Sequence, residues 1–197
     1  MISIEPQVKG LIFDVDGTLV DTMPTHFKTW QELAKTYGFS FPEELFLKYA
    51  GMSTNKIINL INHEQGFQLD PEELTKIKNQ AYLKLVSRLE LIKPVFAIVT
   101  RYHGKLPMAL GTGEFREVAM VNIKAAGLDR YFDLIVTADD VTHSKPDPET
   151  FLKCARLMNV PPEACQVFED GDPGLQAARR AGMIATDIRP YLECRSS

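Results

Sequence analysis

At 197 residues, 45% of them hydrophobic and with 26 acidic against 22 basic side chains, the chain is long enough to bury a sizeable core. Its mildly negative balance and the absence of a Lys/Arg block argue against nucleic acid as a partner. No apolar stretch approaches the ~20 residues of a membrane span, and Met1 to Pro6 lacks a basic segment followed by a signal-like core, so a cytoplasmic protein with no membrane partner is expected.

The first element is the apolar run Val8 to Phe13, which reads as a buried parallel strand. It ends in Asp14-Val15-Asp16-Gly17-Thr18, two carboxylates and a tight turn at a strand's carboxyl end, where open α/β sheets bind ligands. A calcium loop is a poor alternative. A twelve-residue loop starting at Asp14 would need a Glu where Thr25 stands and oxygen ligands where the chain has Val20.

From about Pro24 to Leu91 the pattern is helical and charged, with no good strand. Thr25 to Tyr37 is amphipathic, with Phe27, Trp30, Leu33 and Ala34 on one face and Gly38 as the stop. Phe41-Pro42-Glu43-Glu44 opens a second helix, Asn55 to His63 is a third, and Asp70-Pro71-Glu72-Glu73 starts a fourth with an N-cap and a proline at N1. The segment Val95 to Arg101 has strand-like composition but reads better as a helix returning the chain from this insertion.

From Lys93 onward strands and helices alternate, as in a parallel sheet wound by crossover helices. The spacing predicts strands at Pro107–Gly111, Leu134–Thr137, Gln166–Glu169 and Ile184–Asp187, with helices near Arg116–Ala126, Pro148–Asn159 and Gly174–Ala181. Chemistry-bearing residues recur at these strand ends. Thr112 lies between Gly111 and Gly113, where a hydroxyl and backbone N–H groups could meet an oxyanion. Lys145 precedes the rigid Pro146-Asp147-Pro148 helix entry, which would aim its ammonium group at a phosphate. Glu169-Asp170 ends a third apolar strand, and acids on two strand ends suit a hard cation such as Mg²⁺. Asp172, followed by Pro173, reads as a helix N-cap. Cys154, Cys165 and Cys194 are odd in number and lack metal-ligand spacing, so neither a disulfide framework nor a zinc site is implied.

Taken in order, Asp14-Val15-Asp16-Gly17-Thr18, Thr112, Lys145 and Glu169-Asp170 resemble the four motifs of the haloacid dehalogenase-like phosphotransferase superfamily, and the resemblance covers nearly the whole chain. It implies an α/β fold, a Rossmann-like parallel sheet ordered 5-4-1-2-3 and flanked by helices, with an inserted small all-helical cap domain. The core would comprise residues 1–20 and 92–197 and the cap residues 21–91, with Asp21 in the hinge. By the same resemblance Asp14 is the nucleophile that forms an aspartyl-phosphate, and Asp16 is the general acid and base. Mg²⁺ is held by Asp14, the backbone carbonyl of Asp16 and Asp170, with Glu169 in support, while Thr112 and Lys145 grip the phosphoryl group.

Within the superfamily the chain is most similar to the β-phosphoglucomutase-like and fructose-1-phosphate phosphatase-like subgroup. Thr22, His26, Gly113 and Lys78 then become candidate substrate-binding residues, His26 and Lys78 each standing against the alternative of an ordinary cap-helix position. The mutase pattern has an arginine just after Gly-x-Ser, whereas here Gly51-Met52-Ser53 is followed by Thr54, and a hydroxyl cannot replace a bidentate guanidinium. Glu114 and Arg116 depart from the mutase pattern as well. The expectation is therefore a Mg²⁺-dependent phosphatase acting on a small phosphorylated sugar, with the cap closing over the substrate. The alternatives are a sugar-phosphate mutase of the β-phosphoglucomutase type and a non-catalytic sugar-phosphate sensor.

Overall fold

The structure is a computed structural model describing residues 2–49, 52–86 and 89–192; Met1, Gly51 and Cys194 lie outside these. The chain divides into two units, one of residues 1–21 with 88–197 and the other of residues 22–87.

The first unit opens with β1 (Gly10–Phe13), whose four residues are all buried. A continuous apolar run with no polar face is what a central strand covered on both sides requires. The chain then folds back on itself, with the N–H groups of Leu19 and Val20 both donating to the Val15 carbonyl and that of Gly17 donating to Val20. This turn leads into β2 (Val20–Asp21), which pairs antiparallel with β3 (Glu90–Leu91). The ribbon corrects the strand-free reading of residues 24 to 91. Two residues per strand are too short to show a period-2 pattern.

After β3 come α5 (Lys93–Tyr102), β4 (Met108–Gly111), α6 (Arg116–Ala125), β5 (Leu134–Val136), α7 (Glu149–Met158), β6 (Cys165–Glu169), α8 (Asp172–Arg180) and β7 (Ile184–Asp187). The stretch around Val95–Arg101 is thus a helix, as its placement suggested. The five longer strands form one parallel sheet ordered β5-β4-β1-β6-β7. Numbered among themselves along the chain and taken from the β7 edge, they run 5-4-1-2-3. Ile12, Ala109 and Val167 share one sheet face with Phe151, Cys154, Ala155 and Met158 of α7 and Ala177 and Ala178 of α8. By the alternation of strand side chains, Leu11, Phe13, Leu110 and Phe168 face the other way, and Phe13 stacks on Phe168 at 4.8 Å between ring centroids. Cys154 and Cys165 are buried and free.

The unit of residues 22–87 holds α1 (Met23–Tyr37), α2 (Glu43–Lys48), α3 (Thr54–Gln65) and α4 (Pro71–Leu85). Asp70 caps α4 as expected, its carboxylate accepting from the N–H groups of Glu72 and Glu73. Trp30, Leu33, Phe39, Phe41, Tyr49, Ile57, Ile58, Ile61 and Leu74 form a separate core, with Trp30 stacked on Phe41 at 4.6 Å. Among the described residues, no helix is long and apolar enough to cross a membrane.

Candidate active site

The register of the sheet assembles the site. Phe13 is aligned with Leu110 on one side and Phe168 on the other. In a parallel sheet all carboxyl ends lie on the same edge, so Asp14, Thr112 and Glu169-Asp170 emerge as neighbours. The Asp14 N–H donates to the Phe168 carbonyl at 3.1 Å, which ties the nucleophile candidate's backbone to the acid-bearing strand.

Lys145 sits between two of these carboxylates. Its Nζ donates to Asp14 Oδ1 at 2.7 Å and to Glu169 Oε1 at 2.6 Å, and its side chain is only 10% exposed. The other Glu169 oxygen, Oε2, accepts the Gly171 N–H at 2.8 Å. Glu169 thus has both oxygens engaged by donors and acts first as the anchor of the lysine. Asp14, Glu169 and Asp170 each bring a carboxylate oxygen within 4.8 Å of the others.

Three acids and one ammonium in a buried place leave an imbalance. Burial raises the Asp14 carboxyl well above its ordinary value, Lys145 works against that shift, and Glu169, Asp170 and Asp16 add to it. Burial, then Glu169, pushes Asp170 up to about 6 although the Thr18 hydroxyl opposes this. For Lys145 burial acts downward, but Asp14 and Glu169 outweigh it and hold the ammonium above its usual range. Hard oxygen ligands carrying excess negative charge are the donor set that suits Mg²⁺, and these residues fit such a cation.

Two glycines make room for the acids. Gly17 has φ of +84°, and a Cβ there would run into the Asp170 carboxylate, 2.9 Å from its Cγ. At Gly174, near the start of α8, the Glu169 side chain lies where a Cβ would be. Both positions therefore need the absent side chain for space, and Gly17 needs it for its backbone conformation as well.

Asp16 is held by donors from two other segments. Thr112 Oγ1 donates to Asp16 Oδ2 at 3.3 Å and Asn122 Nδ2 donates to Asp16 Oδ1 at 2.8 Å. Thr112 and Asn122 are both buried. The Thr112 N–H donates to the Val136 carbonyl and the Glu114 N–H to the Thr112 hydroxyl, so these two amides serve the turn rather than an open oxyanion cradle. Gly113 is exposed, with nothing within 4 Å of where a Cβ would stand. Thr18 and Asn122 are site residues that sequence reasoning missed. Thr18 Oγ1 donates to Asp170 Oδ1 at 2.8 Å and lies inside the quoted motif. Asn122 left one readable trace, an amide on the stripe of α6 that also carries Val118, Ala119 and Ile123.

The remaining candidates are placed otherwise. Asp172 is not the N-cap. Gly171 occupies that position, and Asp172, already helical, forms an exposed ion pair with Arg189 at 2.9 Å. In the helical unit, His26, Lys78 and Tyr82 are buried together. Lys78 Nζ donates to His26 Nδ1 at 3.1 Å, and the imidazole stacks on Tyr82 at 4.3 Å. The Thr22 hydroxyl is fully buried without a hydrogen-bond partner among the described residues. A second group of potential metal ligands, His143, Asp147 and Glu149, is partly exposed. Its Glu149 oxygens accept the N–H groups of Thr142 and His143, and Asp147 accepts that of Glu149, which accounts for these acids as loop fasteners.

Comparison with known proteins agrees with this architecture. The family model described as haloacid dehalogenase-like hydrolase matches residues 11–187. The fructose-1-phosphate phosphatase YqaB of Escherichia coli (strain K12) is 43% identical over 180 residues, 91% of this chain and 96% of that protein. The β-phosphoglucomutase of Bacillus subtilis (strain 168) is 26% identical over 189 residues, covering 92% and 83% of the two chains. Among solved structures, a haloacid dehalogenase-type hydrolase of family IA, variant 3, from Entamoeba histolytica has the same fold. Its TM-score is 0.82 at 23% identity, covering 92% of this chain and 84% of its own. With the match running through β1 to β7 and through every strand end that carries an acid or the site threonine, the chain belongs to the haloacid dehalogenase-like hydrolase family.

Proposed function

We propose that the protein is a Mg²⁺-dependent phosphatase that hydrolyses a small phosphorylated sugar, of the fructose-1-phosphate kind, through an aspartyl-phosphate on Asp14. The observation that carries this reading is the buried Asp14 carboxylate, gripped on one oxygen by Lys145 and crowded by Glu169 and Asp170. The substrate class follows the phosphatase at 43% identity and the absence of a mutase-like arginine at Thr54.

Asp14, Asp170 and the Asp16 backbone carbonyl are the groups that would hold Mg²⁺, which when bound supplies positive charge to offset repulsion between the carboxylate and a phosphate dianion. The carboxylate of Asp14 bonds to phosphorus as the ester P–O bond breaks, and Asp16 gives its proton to the departing sugar oxygen. Asp16, now ionised, takes a proton from water, whose oxygen bonds to phosphorus while the acyl-phosphate bond to Asp14 breaks. Inorganic phosphate and the starting enzyme result. Lys145 and Thr112 meet the charge on the transferring phosphoryl oxygens. His26 and Lys78 in the helical unit, with Thr22 and Gly113, are proposed to select the sugar.

A panel of phosphorylated sugars, assayed with Mg²⁺ for released phosphate, tests this. Turnover of several sugar phosphates that stops with chelator supports it. Interconversion of hexose phosphates without phosphate release would instead make the protein a mutase, and binding without turnover a sensor.

A further inference from the structure

Asn122 occupies a place that stability alone does not favour. It lies within α6 on the buried stripe with Val118, Ala119 and Ile123, and is fully buried. Asn is a poor helix former, because its amide competes for backbone hydrogen bonds. A buried amide also costs about 1–3 kcal/mol unless its hydrogen bonds are made, whereas an apolar side chain of the same volume would pack there without that cost. What the amide gains at this position is the Asp16 carboxylate at 2.8 Å.

Thr112 and Asn122 differ in kind as donors to Asp16. The Thr112 hydroxyl has a single proton, directed at Oδ2 from 3.3 Å, and on the phosphatase reading that proton is also wanted by the substrate's phosphoryl group. Asn122 comes from a helix and is fully buried, which restricts the movement of its amide. It keeps hold of Oδ1 when Thr112 turns to the substrate.

We infer that Asn122 is a positioning residue for this chemistry, setting the carboxyl group of Asp16 so that its other oxygen faces the departing sugar oxygen. The inference rests on the phosphatase reading above. It predicts a defect in the first step, phosphoryl transfer to Asp14, confined to substrates whose leaving group needs a proton; the second step, in which Asp16 takes a proton from water, is common to all substrates and does not enter kcat/KM.

The test compares wild type with Asn122→Leu, which keeps the branching at Cγ in a larger side chain and removes the donor, and with Asn122→Ser, which keeps a shorter donor. Two substrates are used: p-nitrophenyl phosphate, whose phenolate departs unprotonated, and fructose 1-phosphate or whichever sugar phosphate of the panel the wild type hydrolyses fastest. The ratio of kcat/KM for the two substrates does not depend on how much of a variant is folded. For Asn122→Leu, kcat/KM for the sugar phosphate should fall by about 30-fold or more, part of the ~10²–10⁴ that acid–base catalysis contributes. For the aryl ester it should change by less than about threefold, and Asn122→Ser should fall between. An equal fall for both substrates, a larger fall for the aryl ester, or no change would overturn the assignment. Wild type that releases phosphate from no sugar phosphate would overturn the phosphatase reading itself, and the assignment with it, a result distinct from any behaviour of the variants.

Discussion

One ammonium, Lys145, bridges Asp14 and Glu169 in a place where its side chain is 10% exposed. Replacing it with Met should lower phosphate release by about 10²–10³, the range for loss of a preorganised charge at a transition state. Asp14, left buried without its ammonium partner, would bind its proton more tightly still, so the variant should lose more thermal stability at pH 8 than at pH 5. Asp170 already shows this behaviour. Its folded-state value of about 6 exceeds the ordinary 3.8, so the folded protein holds the proton that the unfolded chain releases, and the site becomes less favourable as pH rises from about 4 to 6. A cation that binds the ionised acids removes that penalty. The increase in Tm on adding Mg²⁺ should therefore be larger at pH 8 than at pH 5 and largely absent in Asp170→Asn; equal increases at both pH values would contradict the charge account.

At the scale of elements, the site depends on loops fitted to acids. Gly17→Ala would impose a left-handed backbone on a side chain and push into the Asp170 carboxylate. A loss of about 1–3 kcal/mol is expected by thermal or urea unfolding, together with weaker Mg²⁺ binding by calorimetry. Much of this arrangement was legible beforehand. The runs ending at Phe13, Gly111 and Glu169 announce strands because parallel-sheet interiors are apolar on both faces, and the acids and hydroxyl that follow them sit where such sheets bind ligands. What escaped reading depended on partners distant in the chain. Asn122 looks like an ordinary polar helix position until α6 is placed beside Asp16, 106 residues away. Asp172 has the composition of a cap, but the helix begins one residue earlier than a cap at that position allows, and the carboxylate goes to Arg189. His26 and Lys78 read equally well as solvated helix positions, and only packing against Tyr82 shows them buried.

At the scale of the whole molecule, the chain leaves the sheet unit and re-enters it through paired residues, Asp21 opposite Glu90. Residues 22–89 could accordingly be replaced by Asn-Gly, the two-residue loop that suits an antiparallel pair. The shortened protein should unfold cooperatively, keep its Mg²⁺-dependent rise in Tm and hydrolyse p-nitrophenyl phosphate, while losing preference among sugar phosphates. Loss of the cation effect would place essential ligands outside the sheet unit. The central claim, that the residue closing β1 attacks phosphorus, is tested most directly by acid-quenching the protein during turnover of its best sugar phosphate. Acyl phosphate is then reduced with borohydride and the modified residue located by peptide mass spectrometry. The account predicts homoserine at position 14; a phosphoryl group or reduction product at any other residue would contradict it.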